Sequence, residues 1–596
     1  MPRVDIKLAP GIYSDETARG AKGRWKDGDL VRFRRGLVQP IGGWQKELSG
    51  LIGVARSMTS WQTLAFQNVL AIGTHKKLYL RYGGNLYNIT PLRDSTAAPF
   101  SSPALVNPFT TTIGSAIVTV AHTGHGENTG DRVFFSGATA VGGITINGEY
   151  EVASVPTANT YTIVHSSAAT SGATGGGTVS YDYEIHVGAE HHTRGLGAGA
   201  GPVGDGTVGT PRSASSIFIN AQIWALESWG EDLIASPRGG SIYWWDATNG
   251  FTTRAKVISQ APITAERIIV SDEDRHLIAL GVYDGAISDR LLVRWCSQED
   301  FTVWTALSTN TAGRQRVDRG TKLVTGIHTR RETVLFTDAA MYSMTFIGPP
   351  DTFGFRLIAD TISIMGPNAA VNYGDITYIM AKNSFYVYDG ILREMPCDVW
   401  TLVFRNLNID QADKAFAATS QQFSEIWWFY ASAASIEIDR YVIYNKEENH
   451  WSTGALSRTA FHDDRSIFNT PFATSGDSLY AHEQGVNADG AFLPAFLESY
   501  DIELGTDDGE GFVRMHLLIP DFKSLTGSVD VSLKTRRFPQ DAKQYTYGPK
   551  VVTATTKQVG ARTRGSQIAL RVASRAIGDF WQMGVFRADF RRHGKK

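Results

Sequence analysis

A strand hairpin that recurs along the chain is the feature that most restricts its fold. Each copy has three or four apolar or small residues, a short polar turn, and a second strand with an apolar-Tyr-x-apolar pattern. Such strands on either side of a turn rich in Gly, Ser, Asp or Asn are typical of a β-hairpin. The clearest copies begin at Leu70, Leu233, Val334, Tyr378 and Phe472, and weaker copies begin at Leu277 and Trp427.

The spacing of these copies indicates the architecture. From Leu233 onward they begin 44 to 57 residues apart, and one four-stranded propeller blade takes about 40 to 50 residues. The 60 Gly, 29 Phe, 22 Tyr and 14 Trp also fit strands better than helices. The sequence therefore predicts an all-β protein with a β-propeller of six or seven blades in residues 51–103 and 213–492.

The long interval between Leu70 and Leu233 indicates an insertion. Residues 104–180 are rich in Thr, Gly and Val and have hairpin patterns of their own, such as GDRVFFSG at 130–137. We expect a small inserted β domain there, followed by a Gly-rich loop at 181–212. After residue 493 the alternating runs are longer, which predicts a C-terminal β-sandwich-like domain at 493–596. Residues 1–50 form an N-terminal segment in this division.

Cysteine usage and hydropathy exclude two classes of protein. Cys296 and Cys397 are the only cysteines, which is too few for a disulfide framework or a metal-binding spacing, so we expect two buried reduced thiols. No stretch approaches the ~18 apolar residues of a membrane-spanning helix, and the first residues lack the apolar core of a signal peptide. We expect a protein that is made and kept in a cytoplasm-like compartment.

The usual catalytic motifs are absent. The sequence has no phosphate-binding GxxxxGK[ST] loop, GxSxG elbow, HExxH pair or EF-hand loop. The pairs Asp272/Asp274 and Asp507/Asp508 could be interpreted as the two catalytic carboxylates of a glycosidase. Both pairs lie in turn-like segments, however, where acidic side chains commonly hydrogen-bond to the local backbone. We therefore predict that the chain is not an enzyme and has no catalytic or cofactor-binding residues and no cofactor.

Two further groups of residues resemble ligand sites and have simpler interpretations. His186, His191 and His192 lie beside the Gly-rich loop, and a flexible loop lacks the rigid surroundings that a metal ligand needs, so we predict no metal site. The pairs Trp244–Trp245 and Trp427–Trp428 could stack on sugars. Adjacent strand residues point to opposite faces, however, so we expect at least one of each pair in the core.

The charge distribution is more informative than the net charge. Lys plus Arg (57) and Asp plus Glu (59) nearly cancel, yet residues 531–596 hold 6 Lys and 9 Arg against 3 Asp and no Glu. Basic residues also cluster at 19–35. They could meet DNA phosphates without sequence readout, or pair with acidic neighbours in an assembly. We favour the assembly interface, because a conduit that held DNA tightly would impede its exit. The candidate contacts are Arg24, Arg32, Arg34, Arg35, Arg562, Arg564, Arg571, Arg575, Arg587, Arg591 and Arg592.

Two segments carry a resemblance to a known family. Residues 9–44 (APGIYSDETARGAKGRWKDGDLVRFRRGLVQPIGGW), continued by 53–91, resemble the opening of the packaged-DNA stabilisation, tail nozzle or tail hub proteins of short-tailed bacteriophages. Residues 562–594 (RTRGSQIALRVASRAIGDFWQMGVFRADFRRHG) resemble the closing segment of the same group. The resemblance carries no catalytic residues with it.

The resemblance implies a structural subunit of the virion tail, made in the bacterial host cytoplasm. It would form a homo-oligomeric, hexameric ring that contacts a head-tail adaptor and tail fibre or needle proteins, retains packaged DNA and conducts it during ejection. Two alternatives stay open. One is a propeller of a phage tail that binds or degrades glycans, and the other is a fibre-attachment component.

Overall fold

Strands are the dominant regular structure of the described chain. The computed structural model describes residues 4–17, 20–93, 104–194, 218–271, 274–502, 511–538, 541 and 545–595. Within these ranges there is one α-helix, α1 (Trp400–Phe404), and there are 3₁₀ turns at Ala247–Asn249, Ile409–Lys414 and Gln421–Phe423. No helix of the described chain is long and apolar enough to span a bilayer.

The chain divides into two compact units. One comprises Leu51–His328 and Met344–Phe355, and the other comprises Met1–Gly50, Thr329–Ser343 and Arg356–Lys596. Strands are numbered in chain order, and the second unit begins with β1 (Val4–Ile6), β2 (Trp25–Asp29), β3 (Val31–Arg34), β4 (Leu37–Pro40) and β5 (Trp44–Ser49).

The first propeller sheet and the inserted domain follow. The sheet consists of β6 (Ala55–Gln62), β7 (Asn68–Thr74), β8 (Leu78–Tyr82) and β9 (Asn85–Asn88). The inserted domain is an eight-stranded sheet in the order β10-β17-β13-β14-β15-β12-β11-β16. Its strands are β10 (Ala104–Val106), β11 (Phe109–Thr111), β12 (Ile117–Ala121), β13 (Arg132–Ser136), β14 (Gly148–Thr157), β15 (Thr160–Val164), β16 (Ala173–Gly175) and β17 (Thr178–Tyr183). A two-stranded ribbon, β18 (Thr193–Arg194) and β19 (Phe218–Ile219), comes next.

Six more four-stranded sheets follow along the chain. Their strands are β20 (Trp224–Trp229), β21 (Asp232–Pro237), β22 (Tyr243–Trp245), β23 (Lys256–Val257); β24 (Thr264–Ser271), β25 (His276–Tyr283), β26 (Ser288–Trp295), β27 (Gly313–Arg316); β28 (Leu323–His328), β29 (Thr333–Thr337), β30 (Met341–Gly348), β31 (Thr352–Ala359); β32 (Ala370–Tyr373), β33 (Ile376–Met380), β34 (Phe385–Tyr388), β35 (Leu392–Glu394); β36 (Phe416–Ser420), β37 (Glu425–Tyr430), β38 (Arg440–Asn445), β39 (His450–Ala455); and β40 (Ala460–His462), β41 (Phe472–Ser475), β42 (Ser478–His482), which β5 completes.

Each copy of the sequence repeat forms the two middle strands of one of these seven sheets. The copy at Leu70 forms β7 and β8, and the copy at Phe472 forms β41 and β42. Middle strands are buried on both sides, which explains why they carry the apolar and aromatic pattern. The predicted fold class is confirmed: the protein is all-β, with a β-propeller of seven sheets, an inserted small β domain and a C-terminal β-sandwich-like domain.

Neighbouring propeller sheets of the first unit share one apolar core. Trp61 from the first sheet and Trp245 from the second belong to the same buried cluster, with their rings 6.4 Å apart in an edge contact. Gly73 allows the close approach, because a Cβ there would lie 2.7 Å from the side chain of Trp224. The contact between these two sheets therefore combines an aromatic pair with a large residue that faces a glycine.

The remaining strands build the sandwich-like domain. They are β43 (Phe496–Ser499), β44 (Gly511–Ile519), β45 (Phe522–Thr526), β46 (Ser528–Arg536), β47 (Tyr545–Thr553), β48 (Val559–Gly565), β49 (Gln567–Ser574), β50 (Phe580–Met583) and β51 (Phe586–Lys595). The three sheets run β1-β51-β44-β48, β2-β43-β49-β46-β47 and β3-β4-β50-β45.

The N-terminal strands differ from the sequence-based division. Residues 1–50 do not form a separate segment: β1 to β4 pair within the sheets of the C-terminal domain, and β5 pairs with β42 as the fourth strand of the last propeller sheet. A strand without a partner exposes a row of unpaired N–H and C=O groups. Partners this far away in sequence leave no local pattern, which is why the sequence division missed them.

A buried ion cluster fixes this N-terminal region. The guanidinium of Arg32 in β3 is 1% exposed and contacts two carboxylates, at 3.0 Å to Glu425 Oε1 and 2.6 Å to Glu483 Oε1. Burial acts to lower the pKa of Arg32, but the two carboxylates raise it well above its ordinary value. Glu483 also accepts a hydrogen bond of 3.1 Å from the backbone of Gly42. The cluster thus ties the segment before β5 to the last two propeller sheets.

Two buried histidines are held neutral. Val54 N–H donates to Nδ1 of His75 over 2.9 Å, and Arg458 Nε donates to Nε2 of His482 over 2.8 Å. Burial lowers the pKa of His75 to about 4. Burial, reinforced by Arg458, also holds the pKa of His482 well below its ordinary 6.5. Neither nitrogen can accept its hydrogen bond once it is protonated.

We predict that Arg32→Ala lowers the free energy of unfolding by about 3–5 kcal/mol, because it leaves two buried carboxylates without a counter-ion. Urea unfolding followed by tryptophan fluorescence measures the change. Arg35→Ala is the matched control: Arg35 is exposed and should change stability by no more than about 0.5 kcal/mol. A loss of less than about 1 kcal/mol in Arg32→Ala would contradict a stabilising cluster.

We predict that the protein loses stability as the pH falls below 6.5. The unfolded chain takes up protons on His75 and His482 near the ordinary pKa of 6.5, and the folded chain does not. Unfolding is therefore favoured by up to about 1.4 kcal/mol per pH unit for each histidine. Urea unfolding midpoints measured from pH 8 to pH 5, a span of ~3 pH units, should fall as the pH is lowered. The slope should shrink in His482→Gln and stay the same in the half-buried control His165→Gln.

Candidate functional site

The basic residues near the N-terminus do not form one surface. Arg32 is buried in the ion cluster, and its burial removes it from the candidates for an external contact. Arg24 is half-buried over the ring of Tyr13 at 5.3 Å, and Arg34 is half-buried over Phe423 at 4.9 Å. Of these four arginines, Arg35 alone is exposed.

The basic residues near the C-terminus meet in the sheet β1-β51-β44-β48. Antiparallel register places Arg514 of β44 directly opposite Arg564 of β48 on one side and Arg591 of β51 on the other. Residues directly opposite each other in neighbouring strands have their Cβ atoms about 4.5–5.5 Å apart. Three arginines from three segments of the chain therefore form one row across the sheet.

Strand alternation explains why this row faces outward. In β48, Ala561 and Thr563 are buried, whereas Arg562 and Arg564 are exposed. In β44, Val513 and Met515 are likewise buried, on the side opposite to Arg514. The inward residues pack in the core of the domain and leave the alternate positions at the surface. We call Arg514, Arg562, Arg564 and Arg591 the arginine face.

An aromatic ring supports one end of the arginine face. The guanidinium of Arg564 lies over the ring of Phe512 at 4.3 Å, and Arg537 approaches the same ring at 5.6 Å. Stacking on an aromatic ring orients a guanidinium while its N–H donors stay available. Arg537 is exposed and adds a further positive charge at this edge.

Charge compensation is seen at the far edge of this sheet. Arg587 in β51 lies opposite Asp5 in β1, with 3.0 Å between Nε and Oδ1. Asp589, in the same strand, lies opposite Leu517. Like charges directly opposite each other destabilise a sheet by roughly 0.2–1 kcal/mol per pair. The row of arginines therefore has an energetic cost that a bound anion would offset.

The other predicted contacts lie outside the row. Arg571 is half-buried over Phe496 at 3.7 Å and contacts Glu498 at 3.1 Å. Arg575 is exposed, 4.0 Å from Asp530. The side chain of Arg592 is outside the described part of the structure.

Sequence reasoning missed the central member of the row. Arg514 is an isolated arginine in the apolar run 513–520, remote from both basic clusters. The alternation of that run shows that Arg514 faces away from the core, but only the pairing of β44 with β48 and β51 shows which residues are beside it.

The predicted acidic and histidine groups show local contacts. Asp274 accepts a hydrogen bond of 2.8 Å from Ser271 within its own turn, whereas Asp272, Asp507 and Asp508 lie outside the described residues. His186 pairs with Asp131 at 2.7 Å, and His191 lies 3.6 Å from Glu190.

The aromatic pairs and the thiols are largely structural. Trp245, Trp427 and Trp428 are buried, and Trp244 is half-buried and donates to Asp232 over 3.0 Å. Cys296 is buried as expected, but Cys397 is only half-buried, so the prediction of two buried thiols is correct for Cys296 alone. Burial raises the pKa of both thiols to about 12.

The chain is similar to several solved β-rich structures at low identity. It matches no family model and no curated protein. The extracellular domain of a hybrid two-component system from B. thetaiotaomicron is 10% identical, with 93% of this chain and 76% of that chain covered and a TM-score of 0.31. The AfRom2 CNH domain is 8% identical, with 59% and 94% covered and a TM-score of 0.28. The phage phi92 endosialidase is 12% identical, with 82% and 76% covered and a TM-score of 0.20. Likenesses this distant assign no function to the chain.

We predict that Arg514→Gln stabilises the protein in low salt by about 0.4–2 kcal/mol, because it removes two like-charge pairs at about 0.2–1 kcal/mol each. The gain should disappear at ~1 M salt, where the screening length is only about 3 Å. Urea unfolding at two salt concentrations measures both effects. A variant that is less stable at low salt would contradict a repulsive row.

Proposed function

We propose that this chain is a non-catalytic structural subunit of a phage tail nozzle or hub ring, and that its arginine face contacts the phosphates of passing DNA. The observation that carries the proposal is the row of Arg564, Arg514 and Arg591. Two of these three arginines belong to the segment 562–594, in which the sequence resembles tail nozzle proteins.

The chemistry of the row favours a phosphate backbone as its partner. A guanidinium offers planar paired donors that match phosphate oxygens, and it stays charged at any physiological pH. The chain as a whole has a net charge of -2 and so adds no long-range attraction for DNA. Any attraction has to come from the row itself. Contacts of this kind neutralise charge without reading the base sequence.

The small size of the row answers the objection that a DNA conduit must not hold its cargo. Each neutralised phosphate contributes about -0.9 to the slope of log Kobs against log salt. Three contacts give a slope near -2.7, well below that of proteins that make ~6–10 phosphate contacts. Such a face would guide DNA in the resting particle and still release it during ejection.

The fold supports a structural role. A propeller leaves few unpaired strand edges and presents many loops, which suits a subunit packed among other proteins. A closed ring requires interfaces in which one surface of each subunit meets a different surface of the next. In this proposal the chain forms such a homo-oligomeric ring and contacts the adaptor above it and fibre or needle proteins.

We predict that the full-length protein binds duplex DNA of mixed sequence with a salt slope that Arg514→Gln reduces by about 0.9, the value of one phosphate contact. Fluorescence anisotropy measures the affinity between 50 and 300 mM salt, a range of roughly 0.8 log units. The slope of log Kobs against log salt follows from these affinities. Arg290→Gln, which removes an exposed arginine of β26, is the matched control and should leave it unchanged. Equal slopes for all three proteins would overturn the DNA contact.

Assembly is tested separately. Native mass spectrometry of the purified protein and negative-stain images of tails should show a closed ring of this subunit. A strictly monomeric protein that is absent from virions would refute the tail assignment, whatever the DNA measurement gives.

A further inference from the structure

A pocket opens on one face of the inserted domain. It has a volume of about 220 Å³ and is lined by Leu92, Arg132, Val133, Phe134, Glu149, Asp182, Glu184 and Arg254. Register places Phe134 of β13 directly between Glu149 of β14 and Asp182 of β17. An aromatic ring that is 43% exposed thus lies between two carboxylates on a sheet face.

The hydrogen bonds to Glu184, the least exposed carboxylate of the pocket, all go to one of its two oxygens. Glu184 is 4% exposed, and its Oε1 accepts from Lys77 Nζ at 3.0 Å, Asn88 Nδ2 at 2.9 Å and Arg254 Nη1 at 2.8 Å. Its Oε2 is buried and has no hydrogen-bond partner among the residues that the structure describes. A buried carboxylate oxygen without a donor costs about 1–3 kcal/mol or more, so this atom calls for a donor from outside the chain.

A buried donor in the same pocket likewise has no partner in the described part of the chain. Arg132 hydrogen-bonds to Glu151 through Nη2 at 2.6 Å, whereas its Nε is buried and unpaired. The backbone C=O of Arg132 accepts from the N–H of Glu184, so the two residues are adjacent in neighbouring strands. The pocket therefore offers one acceptor, Glu184 Oε2, and one donor, Arg132 Nε. A hydroxyl group satisfies both kinds of atom.

The charges of the pocket balance. Four carboxylates, those of Glu149, Glu151, Asp182 and Glu184, meet four cations. The cations are Arg132, Arg254, the buried Lys77, which is 2.7 Å from Glu149, and Lys76, which is 3.5 Å from Glu151. No net field remains to attract an anion or a cation. A neutral ligand with several hydroxyl groups and one apolar face fits this lining best.

We propose that this pocket binds a single neutral sugar unit of a saccharide. A pyranose ring places its apolar C–H face on Phe134 and directs its hydroxyl groups to the flanking carboxylates, to Glu184 Oε2 and to Arg132 Nε. The volume is below the ~300–1,000 Å³ of pockets for drug-sized ligands, so one sugar unit enters and the rest of the saccharide stays outside. This inference is independent of the proposed DNA contact, which uses other residues of the chain.

Saturation-transfer NMR on the full-length protein tests the proposal with three neutral probes: the methyl glycosides of glucose, galactose and N-acetylglucosamine. We expect at least one of them to bind with a Kd of roughly 1 mM or tighter. Phe134→Ala should weaken that binding at least about tenfold, the equivalent of ~1.4 kcal/mol. Glucose 6-phosphate should gain nothing over the neutral probes, because the lining is neutral.

The control is Phe66→Ala, which removes another exposed phenylalanine, 83% accessible, at the turn between β6 and β7. It should bind the sugar as the unaltered protein does. Glu184→Gln tests the buried oxygen, and because Glu184 has structural partners, its result counts only if circular dichroism shows a folded protein. Absence of binding by all three probes, or equal binding in Phe134→Ala and Phe66→Ala, would overturn the proposal and leave a pocket that holds water.

Discussion

The pairing of β5 with β42 is the constraint on which the unit containing the N-terminus depends. The last propeller sheet has only three strands from its own stretch of chain, and its fourth strand comes from residues 44–49. Arg32 holds the segment just before that strand by contacts with Glu425 and Glu483. Because β1 to β4 belong to the sheets of the C-terminal domain, the same short segment serves both parts of this unit.

Arginine has opposite roles at two places in the chain. Arg32 is buried between carboxylates and stabilises the fold because its charge is fully compensated. Arg514 is half-buried between two exposed arginines, where the charges oppose each other. Burial and neighbours determine the role, and residue type alone does not. The same logic applies to the pocket of the inserted domain. Its charges balance, and two of its polar atoms have no partner among the described residues, which favours a neutral ligand.

The fold was largely predictable, because its information is local. Each repeat copy carries its own turn and its own pair of buried strands, so its residues mark β7 and β8, or β41 and β42, without reference to any other sheet. The inserted domain was predictable for the same reason, since it interrupts the spacing. The role of β5 and the partners of β1 to β4 were not predictable, since hydrogen bonds between distant strands leave no periodic trace in either segment.

The candidate sites show the same difference between local sequence information and contacts between distant strands. The sequence by itself determined the repeated hairpin, the all-β class and the basic character of the C-terminal strands, because strand alternation and local charge are properties of neighbouring residues. Only the tertiary structure decided that Arg32 is buried, that Arg514 completes a row with Arg564 and Arg591, and that Phe134 lies between two carboxylates. The physical reason is register: a shift of one residue between two strands moves every side chain to the opposite face, and no single strand contains that information.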